Sequence, residues 1–99
     1  MRTYVMYRSE DVSGLSGEGI VAEVVEWADS TASMRWLPST SPQGIARDVK
    51  PTTVEHPHLR NVLALHDHDG RTFLRECLPS GNLGEPIRFS DLDGVLNTL

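Results

Sequence analysis

The sequence predicts a small α+β domain: an antiparallel sheet or SH3-like partly open barrel with one short central helix and a C-terminal helix, in a single domain over 1–99. Three observations carry that prediction. Two strand-like runs, Ile20 to Trp27 and Thr31 to Leu37, flank the turn-forming Ala28-Asp29-Ser30. Leu59, Val62, Leu63 and then His66 recur at helical spacing. Leu92, Val95, Leu96 and Leu99 form one apolar stripe near the end of the chain. A chain of 99 residues suffices for one hydrophobic core and leaves little for a second.

Taken in order, Thr3-Tyr4-Val5-Met6-Tyr7 is rich in strand formers and predicts a first strand. The glycine- and serine-rich Ser9–Gly19 stretch reads as a loop. For the hairpin, a two-residue Asp29-Ser30 connection places Trp27 opposite Ala32, Val25 opposite Met34 and Glu23 opposite Trp36. One face then carries Val21, Val25, Trp27, Met34 and Trp36, so both indoles enter the core; Glu26, Ser33 and Arg35 face away. Asp-Ser lacks the glycine that a type I′ turn prefers, and a three-residue loop would flip one strand's faces. Pro38–Gly44 breaks the pattern, Ile45 to Val49 reads as a short edge strand, and Pro51-Thr52-Thr53 as a connector.

A helix begins near Pro57, because proline suits a first turn whose N–H groups lack partners. It ends at His66-Asp67-His68-Asp69-Gly70, where Asp-Gly marks a reversal into a strand over Arg71 to Leu78. Pro86-Ile87-Arg88-Phe89 reads as an added edge strand. Ser90-Asp91-Leu92-Asp93 has the hydroxyl and acids of a helix start.

The net charge of −5 argues against a nucleic-acid binder, which needs a basic face to gather phosphates. A DNA-mimicking inhibitor would need the fourteen acidic residues lined up on one face, and they are scattered. No run approaches the roughly 18 apolar residues of a membrane span. Met1–Arg8 is too short and polar for a signal peptide, so a cytoplasmic location in a bacterial host is expected, with no membrane partner. Cys77, the single cysteine, excludes an intramolecular disulfide and reads as a small apolar side chain in its strand.

Candidate chemistry is sparse. The pairs His56-Pro57-His58 and His66-Asp67-His68-Asp69 offer imidazole and carboxylate ligands. His66, His68 and Asp69 are the candidate metal ligands, for a small metal-binding domain or metal-dependent enzyme. Against this, a histidine-rich turn at a helix C-terminus is electrostatically favoured without any metal, and the spacing matches no HExxH pattern. Ser13-Gly14-Leu15-Ser16-Gly17-Glu18 has glutamate where a nucleophile elbow needs glycine, and it spells no phosphate loop. No cofactor is expected and no catalytic residue stands out. Trp27 and Trp36 read as core rather than as partner anchors. Leu92, Val95, Leu96 and Leu99 are the candidate partner-binding stripe, although docking on the chain's own sheet competes, since so short a helix is marginal alone.

Ser13-Gly14-Leu15-Ser16-Gly17-Glu18-Gly19-Ile20-Val21-Ala22-Glu23, with Arg35-Trp36-Leu37 and Val62–Thr72, resembles uncharacterised small proteins of actinobacteria and their phages. The resemblance covers about two-thirds of the chain. The chain departs from that pattern in its Asp-Ser turn, its longer Ser39–His58 connection and the added segment from Pro79. The resemblance implies a phage or prophage origin and a compact β-rich fold, and it carries no function. Together these readings predict a non-enzymatic phage accessory protein that binds another protein, as an inhibitor of a host or defence protein or as a virion or assembly component. The sequence leaves its oligomeric state open, since an exposed edge strand can pair with a copy of itself.

Overall fold

The computed structural model describes residues 1–9, 19–38, 52–66 and 70–96, the side chains of 93–96 excepted. Five strands, β1 (Arg2–Arg8), β2 (Gly19–Glu26), β3 (Ala32–Trp36), β4 (Thr53–His56) and β5 (Thr72–Glu76), form one open antiparallel sheet in the order β4-β3-β2-β1-β5. Two helices, α1 (Leu59–His66) and α2 (Phe89–Leu96), complete the α+β fold. Of the two predicted architectures, the open sheet is the one adopted.

The hairpin corrects the predicted register. Glu26 faces Ala32, Val25 faces Ser33, Val24 faces Met34, Glu23 faces Arg35 and Ala22 faces Trp36. The cause is a three-residue loop. Trp27 and Thr31 close it (Trp27 N to Thr31 O, 2.8 Å), and Ser30 N donates to Trp27 O. Ser30 takes a left-handed backbone (φ 75°), the conformation that ends such a loop. Asp29 Oδ1 accepts from the Thr31 hydroxyl at 2.6 Å and from its backbone N–H at 3.0 Å, which together hold its carboxyl below the usual range. The added loop residue turns β2 over, so Val25 and Trp27 leave the core face while Ala22 and Val24 join it.

Between β1 and β2, Met6 faces Ala22 and Tyr7 faces Ile20, which leaves Val21 as an extra, bulged residue. Val21 and Ala22 are consequently both buried. The core lies between one sheet face (Tyr4, Met6, Val24, Ala32, Met34, Leu74) and Leu59, Val62 and Leu63 of α1; Phe89 and Leu92 of α2 pack against it. Tyr4 is 3 % exposed and its hydroxyl donates to Glu26 Oε1 at 2.9 Å. Burial, reinforced by that bond, pushes the phenol up to about 12.

α1 starts two residues after Pro57, and Asn61 N bonds to the His58 carbonyl in its first turn. The ring of Pro57 instead holds His56 in the extended region, so His56 closes β4. β4 itself occupies Thr53, assigned from sequence to a connector; the predicted strand over Ile45–Val49 lies outside the described residues. At the other edge β5 stops at Glu76, short of Leu78, and Cys77 is exposed rather than packed. Cys77 sits where the chain leaves the sheet for the Leu78–Asn82 turn, with Gly81 at φ 89°. The chain then returns along the outer side of β5. Gly84 N donates to Glu76 O, and Leu74 and Ile87 exchange both backbone bonds at 2.9 and 2.7 Å. Instead of a full strand over 86–89 there is this single bridge, and Phe89 already belongs to α2. Asp91 rather than Ser90 caps α2: its Oδ2 accepts from Arg88 N at 2.8 Å, as the third helical residue does in a capping box.

Candidate functional site

Both helices lie on one side of the sheet, and among the described residues no helix covers the other. That open face carries the residues that alternate with the core positions. At its β3–β4 end, Trp27 Nε1 donates to Ser33 Oγ at 2.7 Å, and Ser33 Oγ donates to the Glu55 carboxylate at 2.7 Å. Trp27 is nonetheless 45 % exposed, so its indole is oriented without being buried. The expectation that both indoles enter the core is corrected: Trp36 packs against it, and Trp27 does not. Beside this chain of bonds a groove of about 280 Å³ is lined by Glu23, Val25, Ser33, Arg35 and Thr53. Arg35 Nη1 donates to the Thr53 hydroxyl at 3.3 Å across its floor.

At the β1–β5 end, Tyr7 and Phe73 are directly opposed and stack with ring centres 5.5 Å apart and planes within 4°. The Arg88 guanidinium lies 4.8 Å from the Phe73 ring, and that of Arg75 5.9 Å from Tyr7. Arg75 is fixed further by its Nε–H bond to Gly84 O at 2.8 Å. The aromatic column is thereby held by cations that also tie the returning tail to the sheet. The face as a whole alternates charge, with Glu23 and Glu55 among Arg35, Arg75 and Arg88, around an apolar middle of Val5 and Val25.

The predicted site residues are placed elsewhere. His66 ends α1, half-buried; its ring meets Trp36 edge-on at 5.1 Å and lies 6.2 Å from the ring of His56. His68 and Asp69 lie outside the described residues, as do Leu99 and the side chains of Val95 and Leu96. Among the described residues no three His, Cys, Asp or Glu side chains converge as metal ligands. Leu92 is half-buried and packs against the core, the docking on the chain's own sheet that competes with the partner-binding reading. Sequence reasoning missed Tyr7, Phe73, Arg75 and Arg88 as a group. The alternation of Tyr7 with Met6, and of Phe73 with Leu74, was the available signal, but nothing local said that the two strands pair.

A family model described as Acb5 phage protein matches residues 1–77, which span β1 to β5. The chain belongs to the Acb5 phage protein family. No curated protein and no solved structure matches it. As an Acb5 family member it is a phage accessory protein, and the match stops where the tail that runs beside β5 begins.

Proposed function

We propose that this Acb5 family member is a non-enzymatic counter-defence protein that acts in the cytoplasm of an actinobacterial host by binding a host protein through the open face of its sheet. The family designation points to the host's CBASS defence as the system opposed. The single observation that carries the binding mode is the open face itself: an oriented, 45 % exposed tryptophan, a groove beside it and a braced aromatic column, none under a helix of the described residues. A protein fits this face better than a nucleic acid does. The chain is acidic overall, and Glu23 and Glu55 interrupt the arginines that phosphates would need. The same alternation of sign also departs from the row of acids that a DNA mimic requires. Among the described residues no helix is long and apolar enough to cross a membrane.

The test is co-purification with each protein encoded by a CBASS operon of a susceptible host. The expected result is that the wild-type chain retains one component and that Val25→Glu, which places a charge in the groove, loses it while melting at a similar temperature. Retention of no component, or undiminished retention by Val25→Glu, overturns the proposal.

A further inference from the structure

We propose that His56 and His66 together form a site for a zinc-like divalent transition metal, tying the edge strand β4 to the last turn of α1. The two histidines come from different sequence pairs, and the fold, not their spacing, brings them to 6.2 Å between ring centres. His56 is 8 % exposed on the core side of β4, and its Nε2 is buried with no hydrogen-bond partner. A buried imidazole nitrogen in that condition is costly unless something occupies it. A metal ion satisfies it with the lone pair that the neutral ring presents.

With a Zn–N bond of about 2.0 Å, two imidazoles on one tetrahedral ion have ring centres about 5 Å apart; the rings stand 6.2 Å apart, so binding has to draw them together by side-chain rotation. An imidazole ligates through one nitrogen and keeps the other for an outer hydrogen bond, so partners of the His66 ring are compatible with ligation. Trp36, edge-on to His66 at 5.1 Å, supplies the apolar wall that fixes the ring. His66 is half-buried rather than buried, which leaves solvent a route to the ion and water to complete its coordination. Imidazole pairs suit zinc, nickel and copper rather than magnesium or calcium, which take oxygen ligands. The site shares only His66 with the turn over 66–69, and it stands or falls independently of the open-face reading.

The experiment is zinc binding by the full chain, measured by calorimetry and by NMR of the imidazole nitrogens, with magnesium as the control ion. The expected result is one zinc per chain, a shift of the His56 Nε2 resonance and no response to magnesium. His66→Gln weakens zinc by at least about 10-fold, since even an outer partner of a metal ligand is worth that much. His58→Gln, at an exposed position two residues from His56, leaves binding unchanged. If His56→Gln does not fold, the His56 resonance in the wild-type chain still decides the matter. Absence of zinc binding, or binding that survives His66→Gln or leaves His56 Nε2 unmoved, overturns the proposal.

Discussion

Residues that alternate along the same strands finish on two faces of unlike character. Met6, Ala22, Ala32, Met34 and Leu74 are fully buried beneath the helices. Their strand neighbours Val5, Tyr7, Val25 and Phe73 stay half-buried on the open side, and Trp27 is exposed. The first face is constrained by volume, because every side chain there meets another element. The second is constrained by pairing within its own layer: stacked rings, guanidinium against ring, indole to serine to glutamate. A small domain can therefore secure its stability on one face and leave the other available for contact, with period-two alternation keeping the two apart.

The largest expected effect probes the buried face. Leu63→Ala and Leu74→Ala each lower unfolding free energy by about 3 kcal/mol, as buried leucine truncations do. Val25→Ala costs under about 1 kcal/mol, as a partly solvated position should. Chemical denaturation of the three variants checks this, and equal losses would mean that the two faces do not differ. Next comes Tyr4, at the rim of the core. Its phenol titrates near 10 in an unfolded chain and at about 12 in the fold. The fold thus favours the neutral phenol, so this contribution is complete below pH 10 and is lost as pH rises through 12. Tyr4→Phe should lose about 1 kcal/mol at pH 7 with its Glu26 bond. It should also flatten the decline in melting temperature above pH 10 relative to wild type.

Two smaller effects sharpen the contrast. Ser30→Gly relieves a left-handed backbone in the loop that assigns β2 to its faces, and should raise stability by roughly 0.5–1 kcal/mol. A loss instead would show that the serine side chain contributes more to the loop than its strain costs. Arg88→Ala removes a guanidinium from the Phe73 ring and should cost about 0.5 kcal/mol, the value of a solvated cation–π contact. A thermal melt resolves it, and a loss as large as that of Leu63→Ala would place the aromatic column among the buried elements.

Much of this architecture was legible in the residues. Leu59, Val62 and Leu63 marked α1 because three apolar side chains at helical spacing have few other uses. The strands β1, β2, β3 and β5 were visible as runs of strand formers. The register was not, since Ala28-Asp29-Ser30 permits two loop lengths whose energies differ by less than propensity resolves, and one residue of slip exchanges the faces. β4 was hidden because Thr53-Val54-Glu55-His56 is four residues long and follows a proline, with its pairing to β3 supplied by tertiary contact. The open-face column and the His56–His66 approach rest on pairings between distant segments, which no local pattern encodes. What could be read was that Tyr7 and Phe73 opposed the core side of their own strands; that they oppose each other could not.

The two-way exchange between Leu74 and Ile87 gives the returning tail a role during synthesis. A ribosome releases β5 before the segment that runs beside it, so for that interval the strand offers bare donors and acceptors to any extended chain nearby. Arrival of Gly84 and Ile87 closes that border from within the same molecule, and the Arg75 fork holds it shut. The last stretch of this chain thus acts as its own escort against self-adhesion, from a segment that lies beyond the residues the family model matches.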